Sequence, residues 1–379
     1  MSRAVPTGRK PRIILISPTA GSLEQFDQAG FLSRQVALVQ EYSKYFDVEY
    51  YTCDVRDYSG LLNVKHRPLP LKIGRYGFRH LFFWMYLVTR APFMRAPIRT
   101  FGVELPVLPI VRALSRQKVM AGFPWDYATT TRANYTGIKR LLAGYLQNWG
   151  FKGADVVICT TERLRDIARN RYNKRTIIVP NFVDFRTFER GPQKEDTIIY
   201  VGRLHWSKGI DFLLSAFKQV AKTFPGYRLL VCGTGELDTS LKEMVAGEGI
   251  PNVEFLGAIK QDVLAGYMAR SKAYVLPSIT SEGHPKALIE AMASGTACVA
   301  TRVPGNIDIL TDNVTGLLVE PRDAEALTQA LLRLLSDETF RSRIESEAYT
   351  FAKRFGLTSV LQCEASLING FIAGSLEAS

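Results

Sequence analysis

The chain has 379 residues, of which 46% are hydrophobic and 22% charged. This composition is typical of a folded globular protein and excludes collagen, a coiled coil or global disorder. At roughly 150 residues per domain, the length predicts two domains, with three as the alternative. The five cysteines are far apart and have no CxxC spacing. That pattern argues against a disulfide framework or a zinc site and favours a reducing cytoplasm.

The net charge of +12 is unevenly distributed. Residues 58–125 contain eleven Lys or Arg residues and a single acid, Glu104. We call this stretch the basic aromatic segment. A local excess of this size predicts a negatively charged partner.

No part of the sequence is expected to cross a membrane. The apolar run at 13–16, followed by Ser17, is too short for the core of a signal peptide. The longest uninterrupted apolar run, 81–88, is also far shorter than the about 20 residues that a spanning helix needs.

Strands and helices alternate in the first half of the chain. Residues 12–17 predict a buried strand, 18–30 a loop, 31–45 a helix and 48–53 a second strand. This order is a βαβ unit and is typical of a parallel sheet. Beyond the basic aromatic segment, the predicted elements are a strand at 155–160, a helix at 163–172, a strand at 176–179 and a turn at 180–184.

The polar residues 186–196 predict a linker, after which the alternation starts again. Strands are predicted at 198–201, 228–232, 253–256, 273–276 and 297–301, and helices at 210–224, 262–270 and 286–293. The last 30 residues are expected to be helical. The sequence therefore predicts two α/β domains joined near residue 190.

The first candidate motif, GRLHWSKG at 202–209, follows a predicted strand and precedes a predicted helix. The carboxyl end of such a strand is where open α/β sheets bind ligands. Arg203 and Lys208 suit a diphosphate, because a guanidinium clamps oxygens with a fork of donors and an ammonium adds a point charge. The alternative is a solvated loop with two surface charges.

The second candidate motif is SEGHPKALIE at 281–290. Pro285 is favoured in the first turn of a helix and Gly295 at its end. A helix that starts here directs free amides toward an anion, and the carboxylates of Glu282 and Glu290 accept hydrogen bonds from sugar or ribose hydroxyls. The alternative is a helix with one acid favoured by the helix dipole and one exposed acid.

Together, GRLxxxKG and the later pair Glu282 and Glu290 resemble the retaining glycosyltransferases of family 4, also called glycosyltransferase group 1. The resemblance runs from about residue 198 to residue 321 and is weaker in the first strand and loop and at 180–184. It implies the GT-B fold, an α/β architecture of two Rossmann-like parallel-sheet domains facing a cleft, with a C-terminal helix that crosses back. The implied parts are an acceptor-side domain at 1–185, a nucleotide-sugar domain at 186–345 and a helical crossover at 346–379.

The resemblance also implies roles for individual residues. Arg203 and Lys208 are expected to bind the donor diphosphate, Glu282 the sugar hydroxyls and Glu290 the ribose hydroxyls, with the base near 257–260. Further donor contacts are implied for Gly21, Gly30, Gly233, Gly283, His284, Pro285, Lys286, Ala287 and Leu288. For Gly233, in a Gly-Thr-Gly turn, a plain tight turn is the default interpretation. Glu282, Arg203, Lys208 and Asp126 form the predicted catalytic set, in a retaining transfer that requires neither a metal nor another cofactor.

Two departures from the family pattern stand out. Many members have a histidine in the first domain near the sugar, and no histidine follows Val119 in the corresponding stretch. Asp126 lies there and is predicted to contact or deprotonate the acceptor, with a surface turn as the alternative. His284 replaces a commoner aromatic residue and is expected either to reach a sugar hydroxyl or to pack.

Arginines alternate with aromatic residues in the basic aromatic segment, as in helices that lie in a membrane interface. The predicted membrane contacts are Arg75, Arg79, Phe82, Phe83, Trp84, Arg90, Arg95 and Arg99. One alternative is a buried amphipathic helix with snorkelling arginines. Nucleic acid is a third possibility supported only by charge, and we expect no nucleic-acid partner.

The sequence thus predicts a cytoplasmic glycosyltransferase, peripheral on the inner face of the membrane. It would move a sugar from a nucleotide-diphosphate donor to a lipid-linked or membrane-presented glycan acceptor. The alternatives are the same fold acting on a soluble acceptor, and a non-catalytic nucleotide-sugar-binding protein.

Overall fold

The structure is a computed structural model with two compact units. It describes residues 10–17, 22–28, 30–70, 76–103, 106–124, 126, 138–191 and 193–375, without the side chains of 76–78 and 138–143. Unit 1 comprises Met1–Gln28, Leu32–Val179 and Leu361–Ser379, and unit 2 comprises Ala29–Phe31 and Pro180–Val360. Apart from the short stretch 29–31, the chain changes unit after residues 179 and 360, whereas the sequence predicts boundaries after 185 and 345.

Unit 1 is built on a seven-stranded parallel sheet of order β3-β2-β1-β4-β5-β6-β7. Its strands are β1 Arg12–Ile16, β2 Asp47–Tyr51, β3 Lys65–Arg67, β4 Ile98–Thr100, β5 Val119–Phe123, β6 Val156–Cys159 and β7 Arg175–Ile178. Its helices are α1 Leu23–Gln28, α2 Leu32–Tyr45, α3 Ser59–Leu62, α4 Tyr76–Arg90, α5 Leu108–Ser115, α6 Ile138–Lys152 and α7 Glu162–Tyr172, with a 3-10 turn at Ala91–Phe93.

The apolar character of β1 follows from its central place in this sheet. It pairs in parallel with β2 on one side and β4 on the other, and Ile13 to Ile16 are all buried. A parallel strand covered by helices on both faces requires such a continuous apolar run. The strand order reverses at β1, so the crevice at its carboxyl end is a place where ligands bind in open α/β sheets.

Unit 2 has a six-stranded parallel sheet of order β10-β9-β8-β11-β12-β13. Its strands are β8 Glu195–Val201, β9 Arg228–Cys232, β10 Val253–Gly257, β11 Ser271–Leu276, β12 Ala297–Thr301 and β13 Leu317–Val319. The helices that follow from residue 210 are α8 Ile210–Thr223, α9 Asp238–Gly247, α10 Gln261–Arg270, α11 Lys286–Ala293, α12 Ala324–Ser336, α13 Glu338–Ala352 and α14 Leu357–Ala373, with 3-10 turns at Trp206–Lys208 and Lys353–Phe355.

The order of the second sheet also reverses at β8, which pairs with both β9 and β11. Helix α8 covers one face of this sheet and buries Leu213, Phe217 and Val220 at helical spacing. The loops at the carboxyl ends of β8 and β11 therefore lie side by side, and these loops contain both candidate motifs.

The C-terminal helix α14 ends in unit 1, as the crossover prediction requires. Within that unit, the Arg99 guanidinium contacts the Glu364 carboxylate at 2.9 Å, and both side chains are buried. The Lys118 ammonium donates to the carbonyls of Phe371 and Ile372 at 2.8 and 3.0 Å and so caps the end of the helix.

Candidate functional site

The loop after β8 is shaped by glycines that no larger residue could replace without strain. Gly233, in the neighbouring loop after β9, has φ +139°, and a Cβ there would lie 1.9 Å from the Gly202 carbonyl oxygen. Gly209 has φ +62°, and its Cβ would lie 2.2 Å from the Pro277 carbonyl oxygen. These close backbone approaches hold the GRLHWSKG loop between its two neighbours.

Lys208 and Glu282, which are distant in sequence, are in direct contact. The Lys208 Nζ lies 2.6 Å from the Glu282 Oε1, and both side chains are largely buried. The loops also join through their backbones, because the Ile279 amide donates to the Ser207 carbonyl at 2.9 Å. The predicted diphosphate-binding cation and the predicted sugar-binding carboxylate thus lie at one sheet edge.

Arg203 is exposed at the same edge, and its carbonyl accepts a hydrogen bond from the Tyr200 hydroxyl at 3.0 Å. The pKa of Tyr200 is raised, mainly by burial and also by the charge of Glu282. His205 accepts from the Ser207 amide at 3.2 Å and contacts Glu236 at 3.4 Å. The loop therefore presents the Arg203 guanidinium outward while its other polar groups fix its shape.

Two residues that restrain Glu282 were not identified from the sequence. The buried Ser278 hydroxyl donates to the Glu282 Oε1, and Gly305 packs against the Glu282 main chain. Ser278 lies two residues beyond the carboxyl end of β11, and that position is the only signal that the sequence offers for it. Gly305 lies after β12 and has no comparable signal in the sequence.

Helix α11 begins at Lys286 with Pro285 as the preceding cap residue. The first amides of an α-helix have no acceptor within the helix, so those of Lys286, Ala287 and Leu288 are directed toward its N-terminal end. Gly283, half-buried, lies just before this end. This geometry suits the anion site that the second motif predicts.

Glu290 is buried on α11 rather than exposed. Its Oε1 accepts from the Gln261 Nε2 at 3.4 Å, and the Gln261 amide donates to the Gly30 carbonyl at 3.2 Å. A Cβ on Gly30, whose φ is +79°, would lie 2.9 Å from the Ile259 carbonyl oxygen. Three predicted parts of the donor site therefore lie together in unit 2: Glu290 for the ribose, the stretch 257–260 for the base, and Gly30.

The imidazole of His284 is packed, which is one of the two predicted interpretations. Its ring makes an edge-to-face contact with Phe355 at 5.2 Å, and its Nδ1 is buried without a hydrogen-bond partner among the described residues. Burial, with a smaller contribution from Lys286, lowers the pKa of His284 to about 4. Its carbonyl accepts from the Asn181 Nδ2 at 2.6 Å. A sugar contact by this side chain stays a prediction.

The Asp126 side chain is buried, which disagrees with the surface position of the alternative interpretation. Its Oδ1 accepts from the Gln147 Nε2 at 2.9 Å, and its Oδ2 accepts from the Arg171 Nη1 at 3.1 Å. Both oxygens are engaged by protein donors, so we do not include Asp126 among the residues proposed to act on the acceptor. The predicted donor residue Gly21 lies outside the described residues.

The structure corrects part of the predicted membrane contacts. Arg99 is buried against Glu364, and Phe83 is buried in the core of unit 1, because each side chain faces the interior on its element. Trp84 is half-buried against that core. The Arg79 guanidinium lies 2.7 Å from the Glu24 carboxylate of α1 and has little exposure. Arg75 lies outside the described residues.

A different set of side chains forms the exposed surface of this region. Large apolar residues are exposed on α4, on the 3-10 turn that follows it and on α5: Leu81, Met85, Phe93, Ile110 and Leu114. Arg95 is exposed beside them, Phe82 is half-buried, and the half-buried Arg90 guanidinium lies 5.5 Å from the Phe93 ring centre. Because α4, the 3-10 turn and α5 contact one another, we call Leu81, Met85, Phe93, Ile110 and Leu114 together the exposed apolar patch.

Comparison with known proteins finds a family similar to unit 2, the unit that contains both motifs. Residues 182–351 match the family described as glycosyl transferases group 1. The match covers somewhat less than half of the chain, so this similarity is to the family's domain and lies within unit 2. The match contains both candidate motifs, in agreement with the resemblance stated from the sequence.

Two similar proteins of known name match about half of the chain. One is an exopolysaccharide phosphotransferase from Streptomyces coelicolor, 30% identical over 55% of this chain and 22% of that protein. The other is a phosphatidyl-myo-inositol mannosyltransferase from Mycolicibacterium smegmatis, 30% identical over 47% of each chain. The matches thus span less than half of each relative.

Solved structures show the GT-B fold across almost the whole chain. Sucrose-phosphate synthase from Thermosynechococcus elongatus has a TM-score of 0.75 at 22% identity and covers 97% of this chain and 100% of its own. Anabaena HepE, solved with UDP and glucose, has a TM-score of 0.75 at 18% identity, with coverages of 95% and 100%. Two Rossmann-like parallel-sheet domains are therefore confirmed.

No helix among the described residues has both the length and the apolar character needed to cross a membrane.

Proposed function

We propose that this chain is a retaining glycosyltransferase that moves a sugar from a nucleotide-diphosphate donor to an acceptor presented at a membrane. The observation that carries the proposal is the contact between Lys208 and Glu282 at the carboxyl end of β8. In such a donor the diphosphate is bonded directly to the sugar. A cation and a carboxylate side by side match that order of groups.

The donor-binding assignment follows from charge and hydrogen bonding. Lys208, the exposed Arg203 and the first amides of α11 are proposed to bind the diphosphate oxygens. Glu282 accepts hydrogen bonds from the sugar hydroxyls, and Glu290 accepts those of the ribose. The similar structure of Anabaena HepE was also solved with UDP-glucose, which supports a UDP-sugar as the first donor to test.

In the proposed reaction, the bond between the anomeric carbon and the phosphate oxygen breaks while the acceptor oxygen bonds to that carbon on the same face. The acceptor proton passes to the departing phosphate oxygen, so atoms and charge balance. Negative charge grows on the diphosphate, and fixed cations and amides stabilise it most in the transition state. We propose that these groups act without a bound metal ion.

The exposed apolar patch supports a membrane-presented acceptor. An apolar surface with adjacent cations suits a bilayer interface, where the apolar groups enter the boundary and the cations attract anionic lipids. A relative named phosphatidyl-myo-inositol mannosyltransferase acts on a lipid, which supports a lipid-linked acceptor here. We therefore propose a cytoplasmic enzyme, peripheral on the inner face of the membrane.

A ligand screen followed by a transfer assay tests this function. Thermal unfolding is measured with UDP-, GDP- and ADP-sugars, since a ligand bound only by the folded state raises the melting temperature. The stabilising donor is then incubated with lipid-linked and soluble acceptors, with and without EDTA. We expect transfer to the lipid-linked acceptor, retained configuration and no loss with EDTA.

The outcomes separate the alternatives. Transfer only to soluble acceptors contradicts the membrane acceptor. Donor binding without transfer to any acceptor indicates a non-catalytic binding protein. Absence of binding to every donor contradicts the proposed function as a whole.

A further inference from the structure

Ser278 contacts a proposed sugar-binding carboxylate without itself belonging to either motif. It is fully buried, two residues beyond the end of β11, and its hydroxyl donates to the Glu282 Oε1. The same oxygen contacts the Lys208 ammonium at 2.6 Å. A single carboxylate oxygen therefore has two donors, one neutral and buried and one charged.

The sheet fixes the position of Ser278. Its carbonyl accepts from the Thr301 hydroxyl at 2.5 Å, and the Asn306 side-chain amide donates to the Thr301 carbonyl at 2.9 Å. Ser278 and Thr301 lie at the carboxyl ends of β11 and β12, which pair in parallel. All three residues are buried, so the Ser278 hydroxyl has little freedom to move.

The main chain of Glu282 is restrained from the other side. Its amide donates to the Pro304 carbonyl at 2.9 Å. Gly305 has φ +92°, and a Cβ there would lie 2.7 Å from the Glu282 Cβ and 2.8 Å from its carbonyl oxygen. Glu282 is therefore held both by its backbone and by its side chain.

We propose that Ser278 is a positioning residue that fixes the Glu282 Oε1 and leaves the Oε2 to accept hydrogen bonds from the donor sugar. This inference rests on the proposed function, in which Glu282 binds sugar hydroxyls. A carboxylate held by two fixed donors at one oxygen keeps one rotamer, so little conformational entropy is lost when the sugar binds. Ser278 acts through Glu282 and does not touch the donor.

The test compares nucleotide sugars with the same nucleotides lacking the sugar. Affinities for UDP-glucose, GDP-mannose and ADP-glucose are measured beside those for UDP, GDP and ADP. A hydrogen bond to a charged group is strong enough that Ser278→Ala is expected to weaken nucleotide-sugar binding roughly tenfold or more. Binding of the nucleoside diphosphate should change less than about twofold, because Ser278→Ala leaves the contact between Lys208 and the Glu282 Oε1 in place.

Ser271→Ala is the matched control. Ser271 is equally buried at the opposite end of the same strand, and its hydroxyl donates to the Tyr267 carbonyl at 2.8 Å. The Ser271→Ala variant should leave the ratio of the affinity for the nucleotide sugar to that for the nucleoside diphosphate unchanged. Ser278→Cys, with a similar volume and a weaker donor, should shift that ratio in the same direction by less and covers the case in which the alanine variant does not fold.

A cycle with Glu282→Gln separates the two proposals. If Glu282→Gln weakens sugar-dependent binding and Ser278→Ala has no further effect in that background, positioning is supported. The positioning role is overturned if Glu282→Gln weakens sugar-dependent binding while Ser278→Ala alone, in the otherwise unsubstituted protein, has no effect. It is also overturned if Ser278→Ala alone weakens binding of the nucleotide sugar and of the nucleoside diphosphate equally. If Glu282→Gln itself leaves sugar-dependent binding intact, the proposed function of Glu282 fails first.

Discussion

The two candidate motifs of unit 2 and the basic aromatic segment of unit 1 differ in how directly the sequence relates to the structure. In unit 2, Lys208 and Glu282 come together as their positions after strands suggest. In the basic aromatic segment, Phe83 and Arg99 are buried although the pattern suggested an exposed face. A motif that follows a predicted strand thus predicts where its side chains lie better than a pattern of residue types does.

The physical reason lies in what each pattern constrains. Carboxyl ends of neighbouring parallel strands meet at one edge, so a residue just after a strand is placed once the strand order is known. A mixed cationic and aromatic sequence satisfies either a membrane or a protein core. Which side chains of such a segment are buried depends on contacts with residues far away in the sequence, such as the contact of Arg99 with Glu364.

The largest expected effect comes from breaking the buried ion pair. Arg99→Ala leaves the Glu364 carboxylate buried without its partner, and we expect the free energy of unfolding to fall by about 3–5 kcal/mol. Urea unfolding measures this change. Arg95→Ala, at an exposed arginine, serves as the control and should change stability by less than about 0.5 kcal/mol. Equal free energies of unfolding for the two variants would contradict the buried ion pair and support Arg99 as a surface residue.

The next effect sharpens the role of the unit 2 site. Glu282→Gln and Lys208→Ala should each lower kcat/KM about 100- to 1,000-fold, because the first removes a preorganised negative charge and the second a preorganised cation beside the reacting bonds. Transfer kinetics with the donor found by the screen provide the measurement. The controls are Glu248→Gln and Lys218→Ala, from an exposed ion pair at 3.2 Å in the same unit. Undiminished turnover in the first two variants contradicts the assigned roles.

A third prediction concerns pH and the packed His284. Its pKa is lowered to about 4, so the folded protein binds fewer protons there than the unfolded chain, whose histidine has its usual pKa near 6.5. The contribution of the neutral His284 imidazole to the free energy of unfolding is complete above pH 6.5 and falls by about 3 kcal/mol as the pH approaches 4. His284→Phe should flatten this part of the stability profile in urea unfolding between pH 4 and 7. Identical slopes for both proteins would show that the imidazole does not titrate in this way.

The smallest expected effect tests the exposed apolar patch. Met85→Ser and Phe93→Ser should each weaken binding to anionic vesicles by about 1–2 kcal/mol, given the apolar area that a bilayer would cover. Flotation with phosphatidylglycerol-containing vesicles at low salt measures this binding. Val263→Ser, at an exposed apolar residue of unit 2, is the control. The membrane assignment fails if the unsubstituted protein does not float or if all three variants bind alike.

Much of the fold was predictable because hydrophobic periodicity marks regular elements. The predicted strand at 228–232 and helix at 286–293 coincide with β9 and α11, and the helix at 31–45 differs from α2 by one residue. Strands β3, β4 and β5 were not predicted. They are short or lie within or beside the basic aromatic segment, where charge and aromatic content obscured them.

The candidate site was predictable to the extent that its members lie in motifs. Arg203, Lys208, Glu282 and Glu290 were identified from loops and a helix start, whereas Ser278 and Gly305 were not. A serine after a strand and a glycine in a loop are common in any α/β protein. Only the hydrogen bond to the Glu282 Oε1 and the close approach to its main chain distinguish them.

The sequence by itself determined the alternation of strands and helices, the two α/β units and the placement of both motifs at strand ends, because these depend on local periodicity and on turn and cap residues. Tertiary structure alone decided which arginines and aromatic residues are buried, which serine holds Glu282 and how His284 packs. Those outcomes depend on contacts between segments far apart in the chain, and the geometry of such contacts exists only after the sheets have formed.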